Sequence, residues 1–178
     1  MTEQKLIQQS IGGDINSFSQ LIEIYQDTLA CYLLTQTRNK EDTEDIVQET
    51  FISAHKYLKS YNPQWKFKTW LFTIARRLLY NYYKKIKEVD YTLKEPFDSI
   101  DDSFIDNNNI WLTIKRIVSQ QSFDVLWFFY SEELSIKEIA KILQCTQSWV
   151  KMSMFRSKRK LAKNKEIESF FNDLIIVG

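Results

Sequence analysis

The sequence is poor in the residues that build turns and that bind metals. Its 178 residues include only three Gly, two Pro, two Cys and one His. So few Gly and Pro argue against all-β folds, which use these residues in their many turns. Cys31, Cys145 and His55 lie far apart, so a zinc finger is excluded and a disulfide framework is not expected. We predict no metal site and no cofactor, and assign these three residues structural roles.

Long apolar runs are also missing. No stretch reaches the roughly 18 residues that a membrane-spanning helix needs. Residues 1–10, MTEQKLIQQS, are polar and lack the apolar segment of a secretion signal. The sequence contains neither a Gly-rich phosphate-binding loop nor a nucleophile elbow. With 44% hydrophobic residues available for a core, these absences predict a cytoplasmic, mostly helical protein that does not insert into membranes and is not an enzyme.

Charge is segregated along the chain, although the net charge is only +1. Residues 56–87 contain nine Lys or Arg and no acid, and residues 141–165 contain eight and no acid. Between them, residues 88–109 carry seven Asp or Glu against one Lys. Either basic block alone could be a solvated helix face, but two such blocks beside aromatic residues favour two nucleic-acid surfaces. The acidic stretch has no apolar period and indicates a flexible linker.

Apolar residues recur at helical spacing on both sides of this linker. Residues 1–87 predict three helices, the first capped by Asp14 and the second by Asp42 or Thr43. Residues 110–165 predict four, of which the last two form a helix-turn-helix opened by a Ser135–Glu138 capping box. We therefore predict an all-α fold with a helical domain (1–87), an acidic linker (88–109), a helix-turn-helix domain (110–165) and a hydrophobic tail of unassigned role (166–178).

Three motifs resemble bacterial sigma factors of the extracytoplasmic-function group, in the sigma-70 family. Residues 42–51, DTEDIVQETF, resemble the helix that docks on a coiled coil of the largest RNA polymerase subunit. Residues 67–76, FKTWLFTIAR, resemble the promoter-melting segment, and residues 134–143, LSIKEIAKIL, resemble the second DNA-binding domain. The sequence departs from the family pattern at residues 118–121, at Gln144 where a Gly is usual, and at Ser153 where an Arg is common.

The resemblance implies a two-domain initiation factor that performs no bond chemistry. Its partners would be core RNA polymerase, promoter DNA and an anti-sigma factor. The DNA would be double-stranded at the upstream (−35) element and single-stranded at the downstream (−10) element. The acidic linker would follow the path of nascent RNA.

Each motif supplies candidate site residues. Aromatic side chains between lysines suit stacking on unpaired bases. Side chains at the start of a recognition helix reach base edges, whereas later basic residues meet phosphates. Trp149 is open between base contact and packing. The residues expected to contact core polymerase are Glu44, Asp45, Gln48, Glu49 and Phe51. Those expected at the −10 element are Tyr61, Trp65, Lys66, Lys68, Arg76, Arg77 and Lys84. Those expected at the −35 element are Gln147, Ser148, Lys151, Phe155, Arg156, Lys158 and Arg159.

Other interpretations stay open at this point. A conventional helix-turn-helix regulator would bind duplex DNA alone and would not need the motif at residues 42–51. An all-α adaptor or anti-initiation protein would not need two acid-free basic blocks. Locally, residues 42–59 could be a core helix with a solvated acidic end, and residues 61–67 a hydrophobic hinge. Trp70 is expected in the core.

Overall fold

The computed structural model describes residues 2–89, 109–164 and 167. These residues form eight α-helices and no strand, which confirms the all-α class. The helices fall into two compact units, with α1 to α4 in the N-terminal unit and α5 to α8 in the C-terminal unit. Their bounds are α1 (Glu3–Ile11), α2 (Ile15–Thr37), α3 (Lys40–Tyr57), α4 (Phe67–Val89), α5 (Asn109–Ile117), α6 (Gln120–Tyr130), α7 (Ile136–Leu143) and α8 (Gln147–Leu161).

Both ends of the predicted linker are helical. Helix α4 continues to Val89 and α5 begins at Asn109, so the prediction of residues 88–109 was two residues too long at its start and one at its end. Residues 90–108 lie outside the described residues, as do residues 168–178 of the predicted tail. Ile167, at the start of that tail, is helical and only 1% exposed. None of the described helices combines the length and apolar character that crossing a bilayer requires.

The core of the N-terminal unit lies where α3 packs against α2 and α4. Leu29 and Leu33 of α2 and Leu71 of α4 are fully buried. The rings of Tyr32 and Phe72 meet edge to face at 5.6 Å, an arrangement favoured by the aromatic quadrupole. Three helices that each bury one apolar stripe thus form one core, as the periodicity predicts.

Polar side chains fix where these helices begin. Asp14 caps α2 by accepting from the Asn16 N–H at 3.1 Å, as predicted. The predicted cap of α3 was wrong: the helix begins at Lys40, and Asn39 accepts from the Asp42 N–H at 3.1 Å. Asn at this position satisfies a helix-start N–H as well as Asp does. The two hydroxyls of Thr37 and Thr43, 2.7 Å apart, close the turn between α2 and α3.

Helix α1 was not predicted, because the first ten residues are mostly polar. Leu6 and Ile7 are nevertheless at most 5% exposed, and α1 packs on α2. The Tyr25 hydroxyl donates to the Glu3 carboxylate at 2.8 Å. Burial, followed by this hydrogen bond and the Glu3 charge, raises the pKa of Tyr25 above its usual range. Helix α1 is therefore part of the N-terminal core.

The C-terminal unit has an aromatic core and a helix-turn-helix. Trp111, Phe123 and Trp127 form a cluster with ring centroids 4.9–5.9 Å apart. The predicted capping box is confirmed: the Glu138 N–H donates to the Ser135 hydroxyl, and Ser135 donates back to the Glu138 carboxylate. Helix α8 buries one face, which includes Val150, Met154, Ser157 and Leu161.

Gln144 opens the turn of the helix-turn-helix in the left-handed region, at φ 53° and ψ 44°. This conformation brings the Cβ of an L-residue close to its own carbonyl, and Gly adopts it without that cost. The departure from the family's Gly therefore leaves the turn intact and costs stability.

We predict that Gln144→Gly stabilises the C-terminal unit by about 1 kcal/mol, since relief of the left-handed strain outweighs the larger entropy of Gly in the unfolded chain. Urea unfolding of the full chain measures this. Gln121→Gly, at an exposed position in the first turn of α6, is the matched control and should destabilise slightly. A loss of stability in Gln144→Gly as large as that in the control would contradict the prediction.

Candidate functional site

Helix α3 has one buried face and one exposed face. The buried face includes Ile46, Thr50, Phe51 and Ala54, each at most 6% exposed. The exposed face contains four residues that we call the α3 ridge: Asp45, Gln48, Glu49 and Ile52.

Of the five residues predicted to contact polymerase, four are exposed and one is not. Glu44 is exposed and lies 3.9 Å from the Lys40 ammonium in a solvated pair, and the other three exposed residues belong to the ridge. Phe51 is only 6% exposed, because its ring helps to fill the contact with α2. Ile52, which the sequence analysis did not single out, is 54% exposed.

A cavity lies on each side of the ridge. One, of about 700 Å³, lies between α3 and α4, with Asp45 and Glu49 on one wall and Lys84 and Lys85 on the other. The second, of about 450 Å³, lies between α2 and α3 and is more apolar, with Phe18, Ile22, Val47, Phe51 and His55 among its lining residues. Gln48 and Ile52 line both cavities. The ridge is therefore a strip of three polar side chains and one apolar side chain between two open grooves.

Tyr82 and Tyr83 tie α4 to the other helices below this surface. The Tyr82 hydroxyl donates to the Asp42 carboxylate at 2.6 Å, and the Tyr83 hydroxyl donates to the Gln36 carbonyl at 2.6 Å. Burial, followed by the hydrogen bond and charge of Asp42, raises the pKa of Tyr82 above its usual range. The tie to Asp42 spans forty residues of sequence, and no local pattern could have revealed it.

The loop between α3 and α4 is held in shape by hydrogen bonds between its own residues. The Tyr61 hydroxyl donates to the Trp65 carbonyl at 2.6 Å, and the Trp65 N–H donates to the Asn62 carbonyl at 3.1 Å. The Tyr61 ring meets those of Phe67 and Trp70 at 5.7 and 5.5 Å. Burial raises the pKa of Tyr61, and the Glu3 carboxylate adds to this shift. Tyr61 and Trp65 are thus half-buried in an ordered loop, and Trp70 is half-buried rather than fully in the core.

The other residues predicted at the −10 element lie on the same loop and on α4. Lys66, Arg77 and Lys84 are exposed, whereas Lys68 and Arg76 are half-buried. Helix α4 also carries Tyr80, which is 70% exposed. The described part of residues 56–87 therefore presents a basic face with aromatic side chains beside it.

Helix α8 follows the turn and carries the residues predicted at the −35 element. Lys158 is half-buried and places its ammonium 5.7 Å from the centre of the Tyr130 ring. Trp149 is 37% exposed and lines a cavity with Val118 and Met152. The remaining predicted residues are exposed: Gln147, Ser148, Lys151, Phe155, Arg156 and Arg159.

Ser153 lies on the inner face of α8. It is 6% exposed, and its hydroxyl is 3.1 Å from that of Ser122 on α6. A side chain at this position packs against α6 instead of pointing outward. The departure from the family's usual Arg therefore lies at a packed position between α8 and α6. In residues 2–89, 109–164 and 167, no three His, Cys, Asp or Glu side chains lie close enough to hold a metal ion.

Comparison with known proteins agrees with this geometry. A family model described as sigma-70 region 2 matches residues 21–88. SigW, an extracytoplasmic-function RNA polymerase sigma factor of Bacillus subtilis strain 168, is 28% identical, over 92% of this chain and 96% of its own. The sigma-E factor of Haemophilus influenzae is 28% identical, over 93% and 95%. The chain is therefore similar to sigma factors of the extracytoplasmic-function group over more than 90% of its length, and its residues 21–88 match sigma-70 region 2.

Two solved structures show the same fold as this chain. CnrH, solved in complex with the cytosolic domain of CnrY, superposes with a TM-score of 0.67 at 20% identity, covering 90% of this chain and 95% of CnrH. RpoE from Bartonella quintana, solved with the anti-sigma factor NepR, gives a TM-score of 0.68 at 19% identity, covering 84% and 96%. The region 2 match contains the ridge, the loop and the basic face of α4.

We predict that this chain loses stability as the pH rises above about 10, the ordinary tyrosine pKa. Because the pKa of Tyr82 is raised in the folded chain, the folded state keeps a proton that the unfolded chain releases, and deprotonation favours unfolding. Tyr82→Phe should make the decline between pH 9 and pH 11 shallower in urea unfolding. Tyr80→Phe changes an exposed tyrosine and should leave the slope unchanged. Equal slopes for Tyr82→Phe and the unmodified chain would show that the raised pKa plays no part.

Proposed function

We propose that this chain is a transcription initiation factor that docks on core RNA polymerase through the α3 ridge. The observation that supports the proposal is the exposure of the α3 ridge. A helix whose apolar stripe is already buried between α2 and α4 still presents Ile52, with acidic and amide groups beside it, between two open grooves. A partly apolar centre with a polar rim is typical of a protein interface.

The two grooves suit a partner made of paired helices. Each groove runs beside α3, and together they flank the ridge on both sides. The side chains of an α-helix can fill a groove between two others. In the proposed complex, a coiled coil of the largest polymerase subunit straddles the ridge. The acidic ridge and the Lys84 and Lys85 wall set its register by charge.

The two basic surfaces would bind the promoter. In this proposal, α8 reads the upstream element as a duplex, with Gln147 and Lys151 at base edges and Arg159 at phosphate. The 61–67 loop and the basic face of α4 bind the downstream element once it is melted. The relatives are named as RNA polymerase sigma factors, and RpoE was solved with an anti-sigma factor. We extend both properties to this chain, including inhibition by an anti-sigma protein.

The direct test of this function is run-off transcription. Purified core polymerase, with and without this chain, is presented with genomic fragments. Transcripts that begin at defined sites only when the chain is present support the proposal. Sequence-selective binding of duplex DNA by the chain alone, with no effect on polymerase, would instead support a conventional helix-turn-helix regulator.

We predict that Ile52→Glu weakens binding to core polymerase by at least about tenfold, because it places a charge at the apolar centre of the interface. The matched control is Ile24→Glu on α2. Ile24 is 50% exposed, close to the 54% of Ile52, and it lines neither groove. Binding is measured by fluorescence titration with labelled full-length chain. If the two variants bind alike, the ridge is not the docking surface.

We also predict that Trp65→Ala weakens open-complex formation by about 1–3 kcal/mol, the contribution of one stacked base. The hydrogen bonds from Tyr61 and to Asn62 use the backbone carbonyl and N–H of Trp65, so neither bond depends on its indole ring. Permanganate footprinting measures the melted DNA, and circular dichroism measures the fold. Unfolding of the domain would show that Trp65 is a hinge residue, and full melting would show that it does not contact DNA.

A further inference from the structure

The outward face of α8 carries large apolar side chains. Met152 is 48% exposed and Phe155 is 56% exposed, one turn apart near the middle of the helix. On the opposite side of the same helix, Val150 and Leu161 are fully buried. The packing requirement of α8 is therefore met without Met152 and Phe155. We call these two residues the α8 crown.

The charges around the crown indicate what covers it. Lys151, Arg156 and Arg159 are exposed beside it, and the Arg159 guanidinium lies 5.8 Å from the centre of the Phe155 ring. No acidic residue occurs from residue 141 to residue 165. An apolar patch beside several cations is complementary to a polyanion that also offers apolar groups. Duplex DNA meets both conditions.

The major groove offers one large apolar feature, the 5-methyl group of thymine. We infer that Met152 and Phe155 contact thymine methyl groups, so that part of the upstream element is read by apolar contact. This inference rests on the proposed function of α8. Residues three apart on a helix lie on the same face, one turn apart. The two crown side chains can therefore reach thymines close together in one major groove, on either strand.

Trp149 lies on the flank of the crown toward α6. It is 37% exposed and lines a cavity of about 250 Å³ together with Met152, Val118 and Ser122. Met152 is 48% exposed and is the crown residue that we substitute in the test.

The test removes single methyl groups from the DNA. The full chain is bound to core polymerase and titrated with the promoter duplex found by run-off transcription, with each thymine of the upstream element replaced in turn by deoxyuridine. We expect one or two positions, on neighbouring base pairs, where the loss of the methyl weakens binding about three- to fourfold, the effect of one buried methyl group. Deoxyuridine outside the upstream element serves as the control.

Two variants assign the effect to the crown. Met152→Ser should bind the thymine duplex more weakly and no longer distinguish thymine from deoxyuridine at its position. The serine substitution and the missing methyl group remove the same contact, so their effects are not additive. Met152→Leu keeps an apolar side chain and should keep the distinction. The inference would be overturned if every position kept its sensitivity to the methyl group in Met152→Ser, or if the unmodified chain showed no such sensitivity. The proposed function would survive either result, since it fails only if the complex selects no promoter.

Discussion

The packing of α3 between α2 and α4 determines which residues of the N-terminal unit can meet a partner. A helix with one buried stripe has its rotation about its own axis fixed by that stripe. Here Ile46, Phe51 and Ala54 face the core, so Gln48 and Ile52 must face outward. The hydrogen bond between Tyr82 and Asp42 holds α4 at one end of this contact. The grooves beside the ridge exist because these three helices are held at fixed positions.

The same division between a buried and an exposed face determines which side chains of α8 point outward. Val150, Ser153 and Met154 contact the body of the C-terminal unit, which turns Met152 and Phe155 outward among cations. In both units, then, apolar residues that the fold does not need for its core lie at the candidate interfaces: Ile52 on α3 and the crown on α8. Burial of apolar area at a partner is favourable, whereas scattered exposure in water brings no stability.

Much of this arrangement could be predicted from the sequence, and the parts that could not have identifiable causes. The helical period and local start signals predicted α2, α7 and α8. For each of these helices, the apolar stripe and the residues at its beginning lie close together in the sequence. Helix α1 was missed because its core contribution rests on two residues, Leu6 and Ile7, within a polar stretch. The cap of α3 was misplaced because Asn39 and Asp42 are both suitable caps. The Tyr82–Asp42 bond and the inward direction of Ser153 depend on contacts between distant helices, which periodicity does not encode.

The central claim is that the α3 ridge docks on core polymerase while α8 contacts DNA. Site-specific photocrosslinking tests both parts in one complex. A photoreactive amino acid replaces Ile52 in one full-length chain and Met152 in another, and each is bound to core polymerase on promoter DNA. We expect crosslinks from position 52 to the largest polymerase subunit and from position 152 to the upstream element of the promoter. Crosslinking of position 52 to DNA, or the absence of a polymerase crosslink from a complex that still initiates transcription, would contradict the account.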